Sequence, residues 1–185
     1  RDYVFSPDSS RTCMSAKTGK DWYVFVDEKK EGPYEQVFFP SFSADSKHLA
    51  YVAVSAKKWY LVHDGKAGEK FDFITQPLFS EDSGHAMYMA QKEKKWAVVI
   101  DGKASKMYDG VAVPIFSPDS RHYAFIAKDK DKWFIVADGV EGKEQFMAFI
   151  KGSEIFFDSN TSFHILGLQL PPNAALGPNM SKLSV

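Results

Sequence analysis

A single cysteine, Cys13, stands in the 185-residue chain, so no disulfide can form within it. One thiol fixes no compartment, since both reducing and oxidising surroundings tolerate it. No apolar run approaches the roughly 20 residues of a membrane-spanning helix, and no span is expected. Neither sign of charge is in excess: 23 Lys and Arg against 24 Asp and Glu leave a formal net charge of −1. No global field therefore draws nucleic acid or a membrane surface to the chain, no nucleic-acid specificity is expected, and any charge argument must be local. There is no Gly-x-Ser-x-Gly elbow, no paired-cysteine spacing and no glycine-rich phosphate loop. Serine and aspartate are plentiful, but they sit in turns. No catalytic residue, no metal and no cofactor is expected from these patterns.

What is present is a repeat. Trp22, Trp59, Trp96 and Trp133 are spaced by 37 residues, as are Asp8, Asp45, Asp82 and Asp119, and Phe5, Phe42, Phe79 and Phe116. Asp27, Asp64, Asp101 and Asp138 keep the same interval. A period between 20 and 50 residues marks a repeat architecture. The 15% aromatic content suits β-structure, and the length suits one domain with a full core.

Within one copy, a first apolar segment such as Pro40-Ser41-Phe42 leads into a turn, Ser43-Ala44-Asp45-Ser46. Aspartate hydrogen-bonds its own backbone in such turns, and the proline of Ser6-Pro7-Asp8 presets φ. A second segment, Leu49 to Ala53, is followed by a Lys-rich loop and by a third segment, Trp59 to His63, that ends in Asp64-Gly65, a strong hairpin signal. A fourth segment is expected through Phe71-Asp72-Phe73-Ile74, and through Tyr108-Asp109-Gly110-Val111 in the next copy. The third segments are apolar at successive positions, which predicts burial on both faces. Ala16, Ala53, Ala90 and Ala127 recur where neighbouring sheets would approach closely.

The fold class expected is all-β: a β-propeller of four-stranded antiparallel blades, about 37 residues each, with four full blades and a partial fifth. A β-solenoid is the rival, with rungs usually much shorter, and a β-sandwich would not hold such strict spacing. The propeller is expected over 1–170, with blades at about 1–37, 38–74, 75–111 and 112–152 and a partial blade at 153–170. The spacing fails after Phe116, where about four residues are inserted near Gly142 to Gly152. Ile155 to Ser159 and Phe163 to Leu168 then read as the first two strands of the fifth blade. An irregular tail is expected over 171–185. Because the chain opens at Arg1 inside a repeat, earlier repeats or a leader are expected upstream. Either the tail supplies the missing strands, or missing blades of a longer propeller or self-association close the ring and hide an otherwise open sheet edge.

The stretches Phe5-Ser6-Pro7-Asp8-Ser9 and Phe116-Ser117-Pro118-Asp119-Ser120 resemble the WD-repeat-like propeller repeat with a Ser-Pro-Asp turn. That repeat occurs in the Tol-system translocation protein of bacterial envelopes and in the propellers of prolyl-oligopeptidase-type peptidases. The Trp-x-x-x-x-Asp-Gly-Lys stretches at Trp59 to Lys66 and Trp96 to Lys103 resemble bacterial members of the group. The resemblance covers residues 1 to 170 and implies a propeller, with a bacterial envelope location as a guess. Two departures stand out. The family turn usually ends in glycine where this chain has Ser9, Ser46, Ser83 and Ser120, and nothing like the peptidases' hydrolase domain is present.

In a meander, the turns after the first and third strands share one end, and the loops after the second share the other. The first end collects the eight repeated aspartates. The second collects lysines, with Lys20, Lys57, Lys58, Lys94, Lys95, Lys130 and Lys132 as candidate binding residues. Such loops are often merely solvated; read functionally, they form a basic rim that docks an acidic protein or an anionic polymer. His48, His85 and His122 also recur, but as a property of the repeat and too far apart for one metal. The four tryptophans could stack on a ligand; their position at the start of an apolar strand favours a structural role, as with Asp8, Asp45, Asp82 and Asp119. The expected function is a non-catalytic binding or scaffolding propeller. The alternative is a propeller fragment of a larger peptidase- or lyase-type enzyme.

Overall fold

Asp-Gly at the end of a β-branched run closes a tight hairpin, because both central residues of a type I′ turn need positive φ. Asp64, Asp101 and Asp138 have φ of 48–49° and are followed by Gly65, Gly102 and Gly139 at 74–78°. The computed structural model describes residues 3–149 and 154–168, and these hairpins organise it into repeated meanders.

The first sheet runs β1 (Tyr3–Phe5), β2 (Thr12–Thr18), β3 (Asp21–Val26) and β4 (Lys29–Tyr34), each strand antiparallel to the next. The second is β5 (Gln36–Phe42), β6 (Leu49–Ser55), β7 (Lys58–His63) and β8 (Lys66–Ala67). The third contains β9 (Phe73–Ile74), β10 (Leu78–Phe79), β11 (Ala86–Lys92), β12 (Lys95–Ile100) and β13 (Lys103–Ala104), with β9 and β10 both paired to β11. The fourth is β14 (Gly110–Phe116), β15 (Tyr123–Asp129), β16 (Lys132–Ala137) and β17 (Val140–Glu141).

The fifth unit has strands where the sequence suggests, but it opens before residue 153, within the stretch expected to belong to the fourth blade. β18 (Ala148–Phe149) pairs with β21 (Gly167–Leu168), and β19 (Phe156–Phe157) pairs with β20 (Phe163–His164). This is the same divided first strand as β9 and β10 against β11. The insertion also divides. Trp59 bridges Phe71 and Trp96 bridges Tyr108, both twelve residues on, but Trp133 bridges Phe146, thirteen on. The other added residues fall between β18 and β19, a stretch that includes 150–153, outside the described residues. The tail expected over 171–185 also lies outside them.

The expected fourth segment needs correction. Phe71 returns to Trp59 through a pair of backbone hydrogen bonds, whereas Phe73 and Ile74 pair with Gln91 and Ala90 of the next sheet. The chain changes sheets at Asp72. Likewise Tyr108 pairs with Trp96 while Gly110 and Val111 pair with β15. The run looked continuous because both halves are apolar.

Burial follows a two-residue alternation in which both sides are covered. In β6, Leu49, Tyr51 and Ala53 pack with Cys13, Val24 and Val26 of the first sheet. Ala50 and Val52 pack with Phe71, Tyr88, Ala90 and Val99 on the third-sheet side. Met87 and Val98 meet Phe125, Phe134 and Val136 of the fourth sheet, and Ala124, Ile126 and Ile135 meet Ile155 of the fifth unit. Each pair of successive sheets thus shares one apolar layer, the arrangement of propeller blades. Ala53, Ala90 and Ala127 are fully buried, but Ala16 is half-buried, because among the described residues no sheet packs on that side of the first.

Candidate functional site

The two ends of the sheets differ in chemistry. At the turn end, the hydroxyls of Ser6, Ser43, Ser80 and Ser117 donate to Asp8, Asp45, Asp82 and Asp119 at 2.6–2.7 Å. The Ser43 hydroxyl and the Lys47 N–H hold the Asp45 carboxyl below its ordinary range. For Asp82 the donors are the Ser80 hydroxyl and the Gly84 N–H.

The Asp-Gly aspartates do a second task. His48 Nδ1 lies 2.7 Å from Asp64 Oδ2, His85 Nδ1 2.7 Å from Asp101 Oδ2, and His122 Nδ1 2.6 Å from Asp138 Oδ2. Arg11 takes the same place against Asp27 at 3.2 Å. The other oxygen of each aspartate accepts the backbone N–H that opens the second strand, at Thr12, Leu49, Ala86 and Tyr123. These histidines recur because each links the end of a third strand to the start of a second. Sequence spacing showed both series and left their pairing unseen. A groove of about 640 Å³ opens at this end between the first two sheets, where Arg11, Asp27, Lys29, Lys47 and Asp64 line it with mixed charge.

At the opposite end are the hairpin tips β2–β3, β6–β7, β11–β12 and β15–β16, which carry the candidate lysines. Ala56, Lys57, Glu93, Lys94 and Lys130 all have φ between 51° and 68°, a region side chains normally avoid. Carboxylates preceding the sheet hold the tips of the second, third and fourth sheets. Glu35 Oε2 accepts the Lys57 N–H at 3.1 Å, Asp72 Oδ2 the Glu93 N–H at 2.8 Å, and Asp109 Oδ2 the Lys130 N–H at 2.6 Å. The other oxygen of Asp72 meets Lys58 at 2.5 Å, and that of Asp109 meets Lys95 at 2.5 Å. The Lys58 ammonium and the Glu93 N–H lower the Asp72 pKa, and the Lys95 ammonium and the Lys130 N–H lower that of Asp109. Sequence reasoning missed these three acids, although 35, 72 and 109 keep the 37-residue interval.

Two of the seven candidate lysines are therefore paired. Lys20, Lys57, Lys94, Lys130 and Lys132 are exposed, and their ammonium groups make no ion pair among the described residues. Beneath them lies an aromatic row. Phe38 stacks on Trp59 at 5.0 Å and 4°, Trp59 meets Phe73 at 4.9 Å, and Phe73 meets Trp96 edge-on at 6.1 Å. The Lys128 ammonium sits 5.5 Å above the Trp133 ring. All four tryptophans are half-buried.

In fold, the chain is similar to solved β-propellers. The β-propeller domain of the Trilobed protease from Pyrococcus furiosus matches with a TM-score of 0.54 at 12% identity, over 88% of this chain and 60% of that one. TolB from Acinetobacter baumannii matches with a TM-score of 0.47 at 11% identity, over 85% of this chain and 45% of that one. The acylaminoacyl peptidase from Pyrococcus horikoshii matches with a TM-score of 0.43 at 11% identity, over 85% and 37%. The chain spans less than two thirds of each. No family model and no curated protein matches it. Among the described residues no helix is long and apolar enough to cross a membrane.

Proposed function

We propose that this chain is a binding module that engages an anionic partner, an acidic protein surface or an anionic polymer, through the end bearing the lysine tips. The observation that carries the reading is the clamping of those tips by Glu35, Asp72 and Asp109. Exposed ammonium groups on pre-fixed turns lose less freedom on binding than groups on loose loops. The aromatic row beneath adds apolar contact area. Coulombic binding of this kind weakens steeply as salt screens it.

Retention on immobilised heparin tests the reading. The wild-type chain is expected to be retained at about 0.05 M salt and released by about 0.5 M. Lys57→Glu combined with Lys94→Glu and Lys130→Glu is expected to abolish retention while leaving the fold intact. Retention that ignores salt, or that survives the triple reversal, would overturn it.

A second reading has its own support in the likeness to a protease's propeller domain. On that reading the chain is part of a longer protein whose other units complete the ring. Tyr3 and Phe5 lie exposed on the first strand, where a further unit or a second copy would add cover. A hydrolase-type domain in the same reading frame would favour it over a freestanding binding role.

A further inference from the structure

The last residue of the third strand is Val26, Ile100 or Ala137 in the first, third and fourth sheets, but His63 in the second. This departure puts a second imidazole beside the recurrent histidine–aspartate pair. Rings of His48 and His63 lie 5.8 Å apart. His63 Nε2 is 3.7 Å from Asp64 Oδ2, the oxygen already 2.7 Å from His48 Nδ1. That His63 nitrogen is sealed from solvent and has no hydrogen-bond partner among the described residues. A buried polar atom without a partner calls for an explanation, and an ion is one.

We propose that His48, His63 and Asp64 bind a divalent transition-metal ion of the zinc class, through His48 Nδ1, His63 Nε2 and Asp64 Oδ2. Imidazole and carboxylate suit such an ion, and three protein ligands leave a position open to water or to a partner's side chain. Ligand atoms about 2.0–2.1 Å from a tetrahedral ion lie about 3.3 Å apart. The 2.7 and 3.7 Å separations straddle that value, and all three ligand atoms lie within 4.8 Å of one another, so side-chain rotation closes the set. Asp64 is oriented in advance, since its Oδ1 accepts the Leu49 N–H at 2.9 Å. Coordination through Nδ1 takes the imidazole tautomer of His48 that carries its proton on Nε2, so the metal replaces the His48–Asp64 contact. The pairs His85–Asp101 and His122–Asp138 lack the second imidazole and serve as internal controls.

Calorimetric titration of zinc, and visible absorption of cobalt, on the tag-free, chelator-stripped chain test the site. One equivalent is expected to bind at micromolar metal. His63→Ile, which installs the third sheet's residue, is expected to weaken binding about 100-fold or more, and Asp64→Asn to do the same. His85→Ala is expected to leave binding unchanged. The proposal fails if the wild-type chain takes up no metal at micromolar concentration, if folded His63→Ile binds as wild type does, or if His85→Ala loses binding equally. Should His63→Ile fold poorly, Asp64→Asn decides, because its Oδ1 still accepts the Leu49 N–H.

Discussion

Asp45 donates its backbone N–H to the Oγ of Ser83, 38 residues on, at 3.1 Å. The same bond joins Asp8 to Ser46 and Asp82 to Ser120. It fastens the turn of one sheet to the turn of the next, and it accounts for serine where the related repeat has glycine. Ser46, Ser83 and Ser120 sit at φ of 63–67°, a conformation glycine adopts without cost, yet only serine brings the accepting hydroxyl. Ser9 has the same φ region and stands in no such bond among the described residues. Ser83→Gly is expected to lower stability by about 1 kcal/mol, the net worth of the bond. Ser9→Gly is expected to change it by less than about 0.5 kcal/mol. Urea unfolding of the two variants checks the contrast, and equal effects would deny the inter-sheet role.

Trp96 is half-buried against Phe73, and its N–H and C=O both pair with Tyr108. Removing the ring takes away packing but no backbone bond. Trp96→Ala is expected to cost about 2 kcal/mol, below the ~3–5 kcal/mol of a fully buried tryptophan. Heparin retention should stay unchanged. Unaltered stability with lost retention would make the ring a ligand contact.

The turn aspartates give the chain a pH dependence. Asp45, Asp82 and Asp119 are held below the ordinary carboxylate range, first of all by the hydroxyls of Ser43, Ser80 and Ser117. A carboxyl with a lowered folded-state pKa binds protons more readily when unfolded. Its stabilisation is therefore complete above the unfolded value of about 3.9 and is lost as pH falls through the folded value. The urea midpoint is expected to hold from neutral pH to about 5 and to fall steeply below about 4. Asp45→Asn with Asp82→Asn and Asp119→Asn should flatten that fall.

Cys13 is fully buried in the layer between the first two sheets. Burial, with Glu31 and Asp27 adding their charge, pushes its thiol up to about 12. A thiol that is neither exposed nor ionised is inert. Labelling by a disulfide reagent at pH 8 is expected to be negligible in the folded chain and complete in denaturant. Rapid labelling of the folded chain would contradict the packing of β2 against β6.

The architecture was legible because the 37-residue interval is repeated in tryptophan, aspartate and phenylalanine at once, and each type has its own place in a meander. Boundaries were harder. Phe71 and Phe73 belong to different sheets, yet nothing in an apolar run marks the point at which hydrogen-bond partners change. The basic end was half legible. Its lysines stood out by number, while Glu35, Asp72 and Asp109 each appear as a lone acid until the tip they hold is folded beside them. His63 could have been seen from sequence as the one polar residue in a column of Val26, Ile100 and Ala137, but its nearness to His48 depends on strand pairing.

The packing of successive sheets face to face supports every other inference, and through-space contacts in solution test it most directly. Nuclear Overhauser effects from the methyls of Met87 and Val98 are expected to reach the rings of Phe125 and Phe134, on the neighbouring sheet. Methyls of Ala50 and Val52 should likewise reach Tyr88 and Phe71, while those of Ala53 reach the first sheet. Contacts confined to residues within one sheet would contradict the account.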